Sequence, residues 1–333
     1  LVKGQMHMNV RHNIRSPLAD NLFCSFLNKI WSEGWLDEFS DKHFLIRAMK
    51  NTVNNYVGEQ QLRENNWNLF NYDQNIGINF SMNFSGKLEY LCKMFGEEKI
   101  RKFVEHQLSA GKMNYNEDQF FRALTEVEVL KFFSTFVCSK NRECIYEPSL
   151  GINGRNPEAR FIYDEDLIVD VEVKTPGFAN HMLMENALIP TIALTNAGRK
   201  ELSEFCDEKG ISCIFPRIRK VVEFLNSASK KFNTPKNSRH LNLLYINWSY
   251  SEFPKSSFLE AFSILCNEAT GLLTHREIGI HFGVDETVYE KISAIIVYTS
   301  SMNNLVTQDF RYLWSTRNFA IVPLNGDMEL IAK

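Results

Sequence analysis

The chain has 333 residues, 44% of them apolar and 23% charged, with a net charge of −3, which excludes a disordered chain and any strongly basic protein that coats nucleic acid through overall charge. No run nears the roughly 18 consecutive apolar residues of a membrane-spanning helix, and no basic-then-apolar leader opens the sequence, so a cytoplasmic protein without membrane contact is expected. Seven cysteines without a C-x-x-C pair argue for reduced thiols rather than a disulfide framework or a zinc ribbon.

Leu1 to His7 are set aside as lying outside the fold. From residue 17 to about 110 the apolar positions recur three and four apart, as in Leu22, Phe23, Phe26, Leu27, Ile30 and Trp31, which is helix periodicity. The stretch Trp67 to Asn83 shifts to asparagine and aromatics and reads as a loop. A mainly helical N-terminal region over residues 8–112 is therefore expected, ahead of an α/β domain over 113–333. Asn116, Glu117 and Asp118 then supply a cap and acidic first-turn residues for a helix running to about Val137. Strands are predicted at Cys144–Glu147, Ala159–Tyr163 and Leu167–Lys174, the last two joined by the turn Asp164, Glu165, Asp166. Thr175, Pro176 and Gly177 end the third. A helix from Arg217 to Phe232, a strand from Leu241 to Trp248, a helix around Phe258–Cys266 and a buried strand from Ile292 to Thr299 complete a central sheet with helices. Charge is uneven along this part. Residues 117–198 hold 7 Lys and Arg against 13 Asp and Glu, and residues 199–240 hold 10 against 5.

Alternation along Leu167–Lys174 puts Val169, Val171 and Val173 on one face and Asp170, Glu172 and Lys174 on the other. Two acids and a lysine on a central strand are costly to bury unless a metal, water or one another satisfies them. A hard divalent cation such as Mg²⁺ or Mn²⁺ needs only one or two protein carboxylates, and Glu172 with one upstream acid would suffice. With a lysine beside it, such a site is suited to phosphodiester hydrolysis.

The run Asn156-Pro157-Glu158-Ala159-Arg160-Phe161, then Glu172-Val173-Lys174 with fourteen residues from Glu158 to Glu172, resembles the PD-(D/E)XK nuclease superfamily. The resemblance implies a restriction-endonuclease-like mixed sheet flanked by helices, with Glu158 and Glu172 as metal ligands and Lys174 as the catalytic lysine. Asp170 is a further candidate ligand. The first acid is Glu where Asp is commoner, and Asp164 and Asp166 compete for its role from the hairpin turn. The family's preceding helix often carries a glutamate that reaches the metal, a place matched here by Glu126 and Glu128. The basic helix after the hairpin stands where members contact phosphates, and Lys230, Lys231, Arg219 and Lys220 are the residues expected to do so. The implied protein is a metal-dependent endonuclease acting on DNA ahead of RNA, such as a microbial restriction or defence effector. Its N-terminal helices would mediate self-association or bind a partner protein. The alternative is a degenerate nuclease fold that binds nucleic acid or a protein without cleaving.

Overall fold

Among the described residues, the segments with apolar side chains at helix or strand spacing adopt those elements. The computed structural model describes residues 24–57, 77–135, 143–163, 167–176, 188–190, 200–201, 204–205, 207–209, 212–214, 217–248, 254–300 and 319–325. Leu1 to His7, Leu22 and Phe23, the asparagine-rich residues 65–76, the turn Asp164–Asp166, Gly177 and the helix end at Val137 lie outside them. The described residues form two units, one up to residue 135 and one from residue 143 onward.

The first unit is helical: α1 Ser25–Ser32, α2 Phe44–Val57, α3 Gly77–Phe95, α4 Glu97–Phe103 and α5 Glu117–Thr135, with a π-helical turn at Val104–Leu108 between the last two. Residues 77–83, read from composition as part of a loop, are the first turns of α3. Phe80, Phe84, Leu88 and Leu91 are all buried at helical spacing, and their burial outweighs the weak helix propensity of Asn79 and Asn83. Asn116 caps α5 as expected, its side-chain oxygen accepting from the backbone N–H of Gln119 at 3.1 Å. The sequence reading began the second domain at residue 113, whereas α5 groups with the first unit. The reason is aromatic packing. Phe120 and Phe121 lie 5.4 and 6.0 Å from Phe44, ring to ring, and α5 is buried on nearly every side.

The second unit holds β1 Glu143–Tyr146, β2 Ala159–Ile162, β3 Ile168–Lys174, β4 Leu188–Pro190, β5 Ser212–Ile214, α6 Ile218–Ser229, β6 His240–Asn247, α7 Pro254–Cys266, α8 Arg276–His281, α9 Glu286–Lys291, β7 Ala294–Tyr298 and β8 Phe319–Pro323. It is a mixed α/β fold. Six strands form one sheet in the order β1-β2-β3-β6-β7-β8. The chain from β1 to β3 runs antiparallel, β3, β6 and β7 are parallel, and β8 returns antiparallel along the edge. β4 and β5 pair separately. One face of the sheet packs Leu244, Ile246, Ile295 and Val297 against Val221 and Leu225 of α6, Leu265 of α7 and Val288 of α9. Val169, Val171 and Val173 are buried as the alternation required. Among the described residues, no helix is long and apolar enough to cross a membrane, and Cys24, Cys92, Cys144 and Cys266 are free thiols.

Candidate functional site

Hairpin register brings the acids together. Ala159 stands opposite Val171, and the Glu158 N–H donates to the Val171 carbonyl at 2.9 Å, so Glu158 and Glu172 sit one step further along, across from each other. Glu172 is fully buried, while Glu158, Lys174 and Lys231 keep 16, 19 and 21% of their side-chain surface exposed at its rim. Lys174 Nζ approaches Glu172 Oε1 to 2.7 Å and Lys231 Nζ approaches the same oxygen to 2.8 Å. Lys231 Nζ also donates to Glu158 Oε1 at 3.3 Å. By distance, the contacts to Glu172 are ion pairs. Their angles fall outside hydrogen-bond geometry, and Glu172 Oε2 has no hydrogen-bond partner among the described residues.

Local packing explains why Lys231 reaches the sheet. It follows the last turn of α6, its N–H donating to the Ala228 carbonyl at 2.9 Å, and its neighbour Phe232 is fully buried in the core. The loop before β2 closes against this turn at Gly151, whose N–H donates to the Arg155 carbonyl at 2.7 Å. A Cβ at Gly151 would lie 2.0 Å from the Arg155 oxygen and 2.8 Å from the Lys230 oxygen. Only glycine permits that approach, which sets Glu158 and Lys231 side by side.

Asp170 has a different role from the one expected. Both its oxygens are occupied: Arg160 donates through Nε to Oδ1 and through a terminal nitrogen to Oδ2, each at 2.7 Å, and His240 Nε2 lies 2.9 Å from Oδ2. It is an anchor joining β2, β3 and β6 rather than a free ligand. Arg160 and His240 were missed in the sequence reading. The first was legible, since the register that opposes Glu158 and Glu172 also opposes Arg160 and Asp170. Glu126 and Glu128 are buried on α5 within the first unit, where the Glu128 carboxylate is paired with the ammonium of Lys87. Of the basic helix, Arg219 is exposed, Lys220 pairs with Glu223 at 2.8 Å and Lys230 with Asp285 at 3.2 Å. Lys231, read as a phosphate contact, instead lies among the acids.

Burial pushes the Glu172 carboxyl up to about 7, and the charge of Glu158 adds to this while Lys174 and Lys231 oppose it. Burial pulls Lys231 down, but the charges of Glu158 and Glu172 beside it outweigh this, and the net shift is upward. The folded metal-free chain thus holds the Glu172 proton more tightly than the unfolded chain does. Its contribution to stability is full below the unfolded value near 4.5 and is lost as pH rises to about 7, a loss of roughly 3 kcal/mol at 1.36 kcal/mol per pKa unit. Urea unfolding of the second unit between these pH values should show the decline, with a flatter profile in Glu172→Gln. Identical profiles for the two proteins would contradict the assignment.

The donor set fits a hard divalent cation: two carboxylates within reach of one ammonium, and a fully buried carboxylate oxygen without a hydrogen bond among the described residues. Among the described residues, no three His, Cys, Asp or Glu side chains converge as a metal-holding group. Among the described residues Glu158 and Glu172 would therefore be the ligands, and two carboxylates are sufficient for Mg²⁺ or Mn²⁺ with waters completing the shell. Comparison of the chain with protein-family models, curated proteins and solved structures finds no match.

Proposed function

We propose that the second unit is a restriction-endonuclease-like nuclease that hydrolyses phosphodiester bonds in DNA with a divalent cation. The observation that carries this reading is the convergence of Glu158, Glu172 and Lys174 on one patch of the sheet, with two carboxylates near enough to share a cation. Sheet topology supports it. An antiparallel run ending in the strand that bears the lysine continues into parallel neighbours.

In this scheme Glu158 and Glu172 hold Mg²⁺ or Mn²⁺. When bound, the ion supplies a polarised phosphoryl oxygen and a more acidic water. Lys174 orients the attacking water and offsets charge that develops on the phosphorus oxygens. Arg219, Lys220 and Lys230 contact phosphates, since the ion pairs of Lys220 and Lys230 are surface pairs that exchange readily for a phosphate. Neutralising these three together should weaken DNA binding for every sequence and reduce the salt slope by roughly one for each phosphate left without its cation. Fluorescence anisotropy across a salt series checks this, and an unchanged slope would reduce the helix to a solvated surface.

The direct test is incubation of the purified chain with plasmid, linear and single-stranded DNA and with RNA, with and without Mg²⁺ or Mn²⁺. Metal-dependent cleavage of DNA supports the proposal, and cleavage of RNA alone would replace its substrate. A second reading, a non-cleaving module that binds nucleic acid or a protein, is favoured by one observation. The Lys231 ammonium already pairs with both carboxylates. Binding without cleavage under every metal condition would select that reading.

A further inference from the structure

We infer that Lys231 is the resident counter-cation of this site: its ammonium holds the place between Glu158 and Glu172 that a divalent ion must take, and the side chain withdraws when the ion enters. The inference rests on the metal-site reading above and adds to it a competition between a residue of the chain and the ion. With both carboxyls ionised, Glu158 and Glu172 carry two negative charges and Lys174 and Lys231 two positive ones, so the metal-free cluster is balanced. The Lys231 Nζ lies 3.3 and 2.8 Å from one oxygen of each glutamate. An ion bound to both oxygens at the roughly 2.0–2.1 Å that Mg²⁺ demands would overlap that ammonium, and two cations in direct contact repel strongly where water is scarce. One of them must leave.

Of the two lysines, Lys231 is the one built to yield. Lys174 stands on β3 and its ammonium meets Glu172 alone, whereas Lys231 spans both acids. The backbone of Lys231 is tied to Ala228 and flanked by the buried Phe232, so withdrawal requires only torsions of a flexible four-carbon stem. Its side chain already reaches solvent, so the freed ammonium can be hydrated without local unfolding. Glu172 Oε2 is an independent indication. It is a fully buried carboxylate oxygen that the lysines leave without a hydrogen bond, and an unpaired buried acceptor of this kind is costly. A hard cation with several coordination positions satisfies it, and an ammonium directed at Oε1 does not.

Two measurements test the inference on the full chain. Titration of Mn²⁺ by calorimetry above pH 7 should show an affinity at least roughly tenfold higher in Lys231→Met than in wild type, because the competing charge is gone. Glu172→Gln should abolish binding in both backgrounds. In wild type, an amine-reactive reagent followed by peptide mass spectrometry should label Lys231 several-fold faster once Mn²⁺ is bound, with Lys230 as the internal reference. Labelling of wild type needs no variant, so a poorly folded Lys231→Met would still leave a decision. Equal or weaker Mn²⁺ binding in Lys231→Met, or labelling of Lys231 unmoved by bound Mn²⁺, overturns the inference while the metal site stands. Binding by Lys231→Met but not by wild type supports the competition and selects the non-cleaving reading. Absence of Glu172-dependent binding in both proteins removes the metal site and the inference with it.

Discussion

Lys174→Ala should lower DNA cleavage by roughly 10²–10³-fold, the usual cost of removing one group that stabilises transition-state charge, while leaving Mn²⁺ binding intact above pH 7. The ammonium of Lys174 lies 2.7 Å from Glu172 Oε1. Its loss removes a positive neighbour, so affinity for a cation has no reason to fall while Glu172 is ionised. Glu172→Gln should be equally inactive for another reason, since it deletes a carboxylate proposed to hold the ion. Calorimetric titration separates the two: near-normal Mn²⁺ binding in Lys174→Ala and none in Glu172→Gln. Kinetically, the lysine variant should lose kcat with little change in KM, as expected for an interaction made only in the transition state. Wild-type turnover in Lys174→Ala would refute the assigned role.

Much of this site is legible in the sequence because it depends on the two-residue period of a strand. The alternation in Ile168–Lys174 separates the valines from Asp170, Glu172 and Lys174, and the antiparallel pairing of Ala159–Ile162 with Ile168–Val171 brings Glu158 opposite Glu172. What alternation cannot reveal is which acid is already satisfied. Asp170 and Glu172 share a face, yet Asp170 is held by Arg160 and by His240, a residue 70 positions away in the chain, whereas Glu172 keeps an oxygen without a hydrogen bond among the described residues. That distinction follows from β6 lying parallel beside β3, a long-range pairing. The fate of Lys231 is hidden in the same way. Its charge and its place after a basic helix suggest a phosphate contact, but Gly151 against the Lys230 carbonyl and Phe232 in the core direct it to the acids. The edge strand Phe319–Pro323 went unread because a five-residue apolar run ending in proline has no periodicity to distinguish it from a loop.

Arg160→Ala should destabilise the second unit by about 3–5 kcal/mol, the range found when one partner of a buried ion pair is removed and the other stays charged. Asp170 is fully buried and Arg160 supplies two of its three hydrogen bonds. The third comes from His240, whose Nδ1 accepts from the Lys236 N–H at 3.4 Å, which leaves the proton on Nε2 to donate to Asp170. One hydrogen bond from His240 cannot replace the two from the guanidinium, so the loss arises mainly from a stranded buried carboxylate and little from the missing arginine stem. Asp170→Asn in the same background removes that charge, and the double variant should therefore be more stable than the sum of the two single effects predicts. Urea unfolding of the four proteins measures the coupling. Because Asp170 is two residues from Glu172 and Arg160 two from Glu158, the clamp also fixes the hairpin register at the site. Arg160→Ala should accordingly weaken Mn²⁺ binding although it touches neither Glu158 nor Glu172, and the double variant should recover part of it. A loss below about 1 kcal/mol, typical of a surface pair, or additive effects in the cycle, would show that the clamp carries no such load.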